Sequence, residues 1–232
     1  MEGKTVFLSL SGGIDSTTLY AVLLAGKMDV RPVFFLYPSK HNAMEREAAG
    51  RVAFHYSGRQ PACVDASGLF AGLRSHLLLG GGEIPREGYD EENLRKTVIP
   101  GRNTIFLAAL AALAESTGEE KVYVAIGVHG GDHAVYPDCR PEYVDSVRRT
   151  ILLSSLGRVE VIAPFVSLSK AEVVRRGMEC SVPYALTRSC YAGTDAPCRV
   201  CPTCRAREEA FVRNGCVDPL FGKPKRDSVP PT

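Results

Sequence analysis

Residues 5–20 read TVFLSLSGGIDSTTLY, and no other string in the chain limits the fold so strongly. Thr5 to Leu10 is a short apolar run rich in β-formers. Two glycines follow, then Asp15 and Ser16, and then an apolar-periodic stretch from Thr17 to Leu24. This is a strand, a tight glycine turn and a helix. Such a unit needs a second strand beside the first, and Arg31 to Tyr37 reads as one, followed by a helix from Asn42 to Phe54 in which Glu45, Arg46 and Glu47 stand beside alanines. A weaker strand is expected at Ala62 to Asp65, and the polar, glycine-rich interval from Gly80 to Lys96 reads as a loop over the site.

The alternation continues. Asn103 to Ser116 predicts a buried helix, Lys121 to Gly127 a strand, Pro141 to Ser155 a helix, and Val159 to Ala163 a last strand. Lys170 to Gly177 predicts a helix with Ser167 or Ser169 as its N-cap. The expected class is α/β, a Rossmann-like parallel sheet with helices on both faces. Residues 187–207 carry cysteines, glycines and prolines in place of core periodicity. The expected organisation is therefore an α/β domain over 1–186, a small C-terminal four-cysteine segment over 187–221, and a flexible tail over 222–232.

Composition excludes several classes. At 232 residues, with 45% hydrophobic and 23% charged, the chain is long enough for a sizeable core and is ordinary for a globular protein. Twenty-eight basic residues against 26 acidic ones leave a formal charge of +2, which lacks the basic footprint of a nucleic-acid binder and points to a small-molecule substrate. The apolar run in MEGKTVFLSLSGG is too short to span a membrane and lacks a secretory cleavage site, so a cytoplasmic protein without membrane contact is expected.

The string SGGIDSTT places backbone N–H groups on small residues at the positive end of a helix, which suits an anion. It lacks the lysine of a Walker loop and the spacing of G-x-G-x-x-G. It resembles the PP-motif S-G-G-x-D-S-T of ATP pyrophosphatases. That resemblance implies a loop from Leu10 to Tyr20, comprising Leu10, Ser11, Gly12, Gly13, Ile14, Asp15, Ser16, Thr17, Thr18, Leu19 and Tyr20, that holds ATP while it is split into AMP and pyrophosphate. Asp15 is suited to Mg²⁺, to capping the helix, or to both.

Eight cysteines occur, four of them in the pattern C-x7-C-x2-C-x2-C formed by Cys190, Cys198, Cys201 and Cys204. In a reducing compartment this spacing favours a metal over disulfides, with structural zinc the first choice and an iron–sulfur cluster the other. Cys63, Cys139, Cys180 and Cys216 lack such spacing, and Cys139 is a candidate to line a substrate site.

Three further strings narrow the reading: PGRN at 100–103, YPDCRPE at 136–142, and SCY paired with CxxCxxC. Together with the loop they resemble the 7-cyano-7-deazaguanine synthase (QueC) family from about Val6 to Phe211. The resemblance implies a C–N ligase-type, AMP-forming synthase in queuosine or related deazapurine biosynthesis. It would adenylate 7-carboxy-7-deazaguanine, form the amide from ammonia, adenylate again and eliminate to the nitrile. Arg102 is then a candidate to neutralise charge at the α-phosphate or carboxylate, Asn103 an orienting amide, and Lys170 a phosphate contact or a solvated lysine. Asp132, Tyr136, Asp138 and Arg140 are candidates for purine recognition, Asp15 and Ser16 for catalysis; His129 and His133 are isolated and carry no assignment. Two departures, Ile14 within the motif and the run His133-Ala134-Val135, bear on the substrate side more than on the ATP side. A ligase that couples the deazaguanine acid to an amine of a protein or other macromolecule is the alternative. A homodimer is expected by base rate.

Overall fold

The strand that opens the chain becomes the centre of the sheet. In the computed structural model, which describes residues 2–85, 91–132 and 134–222, β1 (Thr5–Ser9) is flanked by β2 (Asp29–Leu36) and β4 (Val122–Ala125). With β3 (Ala62–Asp65) and β5 (Val159–Ile162) at the edges, the order is β3-β2-β1-β4-β5, and every pairing is parallel. The helices are α1 (Ile14–Ala25), α2 (Asn42–Ser57), α3 (Glu91–Arg95), α4 (Arg102–Glu115), α5 (Pro141–Ser154), α6 (Lys170–Glu179) and α7 (Pro202–Arg213). The tail from residue 223 and His133 lie outside the described residues. No helix among those residues is long and apolar enough to cross a membrane.

Both faces of the sheet are covered, because successive strand residues point to opposite sides and both sets are apolar. On one face Val6, Leu8 and Tyr123 pack with Leu19 of α1, Val52 of α2 and Val173 of α6. On the other, Val33, Phe35 and Val124 pack with Leu107 and Leu110 of α4 and Ile151 of α5. Phe35 stacks on Phe106 with ring centroids 4.1 Å apart, which fixes α4 against β2.

The expected strands and helices are present, with local differences. Helix α1 begins at Ile14, directly after Gly13 as N-cap. Ser169, not Ser167, caps α6: its hydroxyl accepts from Glu172 N at 3.3 Å while Ser169 N donates to Glu172 at 2.7 Å, a reciprocal box. The interval expected as a loop from Gly80 to Lys96 contains the short α3. The larger difference is α7. Its buried positions Cys204, Arg207, Glu208 and Phe211 have helical spacing, but the middle two are charged, so hydrophobic periodicity does not reveal it. Ala210 and Phe211 join the same core as Val6 and Leu8.

Arg207 explains how a charged residue sits inside that helix interface. It is fully buried, and its guanidinium donates to Asp218 at 2.5 and 2.9 Å, to Thr187 Oγ1 at 2.7 Å and to the Tyr184 carbonyl at 3.0 Å. The network ties α7 to the segment that precedes the cysteines. Removing one partner of a buried pair leaves an uncompensated charge, whereas replacing both with apolar groups does not. Arg207→Met should therefore lower stability in urea unfolding by roughly 3–5 kcal/mol, and Arg207→Met/Asp218→Leu should lower it by less than the single substitution.

Candidate active site

Strand order reverses between β1 and β4, so the loops after these strands splay apart at their carboxyl ends and leave a crevice, the usual ligand position in open α/β sheets. The loop after β1 is held there by close backbone approach. Gly12 has φ +75°, and a Cβ on it would lie 2.4 Å from Ala49 N and 2.6 Å from Ala48 C of α2. From the other side Gly127, just past β4, presses on the start of α1; its Cβ would meet backbone atoms of Asp15 and Ser16 at 3.1–3.2 Å. Glycine at Gly12 is a packing requirement, and at Gly127 a side chain would need the neighbouring backbone to give by a few tenths of an ångström. Within the loop, the Ser11 hydroxyl accepts from Gly13 N at 3.3 Å and lies 3.2 Å from the Ser16 hydroxyl.

The crevice holds two adjoining cavities. One, of about 160 Å³, runs under Leu10 and Ser11 to an apolar wall of Phe34, Phe35, Phe106 and Val128, with Arg102, Asn103 and Cys139 also at its lining. The second, of about 360 Å³, extends over Gly13, Ile14, His129 and Lys170 to Tyr136, Arg188 and Tyr191.

Charges are concentrated where the cavities meet. Lys170 Nζ lies 2.5 Å from Asp15 Oδ2 and 3.3 Å from His129 Nε2, which in turn lies 3.4 Å from Asp132 Oδ2. Gly131 N donates to His129 Nδ1 at 3.1 Å, which orients the ring toward these groups. Burial disfavours the Asp15 charge, but Lys170 and then His129 outweigh it and hold its pKa below the ordinary carboxylate value. Asp15 Oδ1 is buried without a hydrogen-bond partner among the described residues. An orphaned carboxylate oxygen beside an anion-binding loop fits a hard divalent cation such as Mg²⁺. Burial also works against Arg102, yet Tyr37, Tyr191 and Asp138 around it raise its pKa above normal, so it remains a cation.

The four cysteines converge at the N-terminus of α7. Their Sγ atoms all lie within 4.8 Å of one another. An ion with metal–sulfur bonds near 2.3 Å separates tetrahedral sulfurs by roughly 3.8 Å, so the set fits a metal. Backbone N–H groups of Cys198 and Ala192 donate to Cys190 Sγ at 3.2 and 3.4 Å, and Cys201 N donates to Cys198 Sγ at 3.3 Å. Hydrogen bonds from the Cys201 and Cys204 thiols hold Cys190 well below its usual pKa and push those two up in turn. The cluster thus readily sheds one proton, and a bound cation lets the remaining thiolates coexist.

The family model described as queuosine biosynthesis protein QueC matches residues 4–215. The chain belongs to the QueC family. A 7-cyano-7-deazaguanine synthase of Archaeoglobus fulgidus is 43% identical over 219 residues, covering 94% of this chain and 90% of the relative. A protein of the same name from Marinomonas sp. is 36% identical, covering 95% and 98%. Among solved structures, the U34-tRNA thiolase NcsA of Methanococcus maripaludis, described with its [4Fe-4S] cluster, overlays with TM-score 0.46 at 17% identity, covering 79% of this chain and 58% of that one.

In this QueC-family chain the structure places Leu10, Ser11, Gly13, Ile14, Asp15 and Ser16 at the cavities, with Arg102, Asn103, Asp132, Tyr136 and Lys170. Thr17, Thr18, Leu19 and Tyr20 are buried behind the loop, where Thr18 bonds the Tyr184 hydroxyl at 2.8 Å. Asp138 turns away: its carboxylate accepts from Asn103 N at 3.2 Å at the start of α4, and its carbonyl accepts from the Asn103 amide at 3.1 Å. Asn103 thereby fixes the 136–140 turn, and Arg140 lines neither cavity. His41, Glu45 and Arg188 carry no sequence motif yet line the crevice, and His129, expected to be isolated, instead lies 3.3 Å from Lys170 and 3.4 Å from Asp132. His41 and Glu45 open the helix after a parallel strand, a position whose side chains reach the crevice. Arg188 donates its backbone N–H to the Gly12 carbonyl at 2.8 Å and its side chain to Asp195 O at 2.7 Å and to Thr194 O, a link legible only in three dimensions. Cys201→Ala should reduce bound metal from one equivalent per chain to near none by elemental analysis and lower the melting temperature; a full equivalent retained would place the metal elsewhere.

Proposed function

We propose that this chain converts 7-carboxy-7-deazaguanine and ammonia to 7-cyano-7-deazaguanine, consuming two ATP. The observation that carries the reading is an anion-cradling loop at the sheet's switch point that opens on a cavity walled by aromatic rings and faced by Arg102 and Lys170, in a chain of the QueC family. The relatives' printed names speak for the nitrile and give no support to a macromolecular amine acceptor.

A carboxylate oxygen is a poor leaving group, and transfer to AMP makes it a good one. The protein's task is to position the acid and ATP and to neutralise developing charge. The N–H groups of the Ser11–Ser16 loop and Lys170 receive the β- and γ-phosphates, and Mg²⁺ at Asp15 would supply charge neutralisation there. Arg102, buried and cationic, faces the α-phosphate as the acid's oxygen attacks phosphorus and pyrophosphate departs. One cavity takes each flat heterocycle, so that the carboxylate and the α-phosphate meet at their junction. Zinc on Cys190, Cys198, Cys201 and Cys204 is structural in this reading: four thiolates leave no open coordination position. Ammonia then displaces AMP to form the primary amide, which alone can be adenylated again and lose AMP to give a nitrile.

Incubation of the purified protein with MgATP, 7-carboxy-7-deazaguanine and ammonium should yield the free nitrile and AMP by mass spectrometry. AMP without nitrile would overturn the final product while leaving adenylation standing. Asp15→Ala should reduce AMP formation by a factor on the order of 10²–10³, the scale for losing one preorganised electrostatic group, with the circular dichroism spectrum unchanged.

A further inference from the structure

Five residues, Ser11, Asp15, Glu45, Arg102 and Asp132, line both cavities and therefore mark their junction. Three are carboxylates, and two of these are engaged: Asp15 by Lys170 at 2.5 Å and Asp132 by His129 at 3.4 Å. Glu45 differs. Among the described residues no hydrogen bond reaches its side chain, which is 18% exposed, and its nearest partner is His41 Nε2 at 3.7 Å, beyond hydrogen-bond range. It stands in the first turn of α2, held there by the bond from Glu45 N to the His41 carbonyl at 2.9 Å.

We infer that Glu45 is the catalytic base that takes protons from the substrate nitrogen, an inference that rests on the adenylation reading above. The groups that face it leave that role to Glu45. His41, on its own turn, is driven down to about 3 by burial and Arg102 and is neutral. Tyr37, at the end of β2, is pushed up to about 12 by burial and remains a phenol. Arg102 of α4 is a cation without a proton to exchange. From the cysteine segment Arg188 and Tyr191 line the same chamber, and the Arg188 guanidinium is engaged by the Asp195 and Thr194 carbonyls. Burial pushes Glu45 up to about 7, with Arg102 pulling the other way, so the carboxylate has the proton affinity that a base needs near neutral pH.

The chemistry requires such a group twice. When ammonia adds to the acyl adenylate, the C–N bond forms, the C–O bond to AMP breaks with its electron pair, and nitrogen is left with a positive charge and one surplus proton. Glu45 accepts that proton and returns it to solvent. In the second cycle the amide oxygen attacks α-phosphorus and expels pyrophosphate. The nitrogen of the O-adenylated amide then gives up two protons in turn, the second as the C–O bond breaks, AMP leaves with the electron pair and C≡N forms. The same carboxylate serves each transfer.

The test is Glu45→Gln, which keeps shape and hydrogen-bonding capacity but cannot accept the proton. Two rates are read on wild type and variant: acid-dependent ATP–pyrophosphate exchange, which needs no ammonia, and amide formation at fixed free-ammonia concentration across pH. Exchange should be unchanged within about twofold, which also shows that the variant folds, while amide formation falls about 100-fold or more. The wild-type limb that rises toward pH 7 should disappear in the variant. Hydroxamate formation from hydroxylamine, whose protonated form is far more acidic than ammonium, should fall less. Amide formation at the wild-type rate and pH profile overturns the proposal. Exchange lost in step with amide formation overturns it equally, by making Glu45 a binding group for the acid. Absence of acid-dependent exchange in the wild type would instead remove the adenylation reading itself, and this inference with it.

Discussion

Everything at the site depends on one steric arrangement: the N-terminus of α1 is pinned between backbones that approach closely from both sides, with no room for a side chain at Gly12. Gly12 lies against Ala48 and Ala49 of α2, and Gly127 against Asp15 and Ser16. With the turn held from both sides, the first N–H groups of α1 face the crevice and have no intrahelical partners. Such groups suit an anion, and the helix dipole adds to the attraction. The charged side chains are arranged around this fixed element.

Those charges are divided by environment. Lys170 and His129 keep Asp15 ionised despite its burial, as the proposed contact with a cation requires. The Glu45 carboxylate, across the junction and with no hydrogen bond among the described residues, is affected mainly by desolvation and moves the other way. Two acids in one crevice thus have opposed proton affinities, the arrangement by which a site separates charge stabilisation from proton transfer.

The C-terminal segment is built into the same assembly. Its cysteines sit at the start of α7, whose Phe211 enters the main core, whose Arg207 is locked to Asp218, Thr187 and Tyr184, and whose neighbour Arg188 bonds the Gly12 carbonyl. A metal that orders the thiolates therefore also orders one wall of the larger cavity, lined by Arg188, Tyr191, Pro202 and Thr203.

The sequence by itself determined the elements and two of the chemical motifs. Strand and helix periods mark β1, β2, β4, β5 and most helices, because apolar burial imposes those periods; the glycine loop and the cysteine spacing are local patterns whose atoms converge within a few residues. It could not show α7, whose buried face carries Arg207 and Glu208, since their burial depends on partners 11 and 9 residues away. Nor could it separate Tyr136 and Asp132, which reach the cavities, from Asp138, which accepts from Asn103 N instead. Tertiary structure alone decided that His129, Lys170 and Asp15 form one charge network across 155 residues, and that the Glu45 carboxylate at the junction has no hydrogen bond among the described residues. The physical reason is that proton affinity and ligand access are set by which groups surround a side chain in space, and a parallel sheet gathers those groups from the ends of strands far apart in the chain.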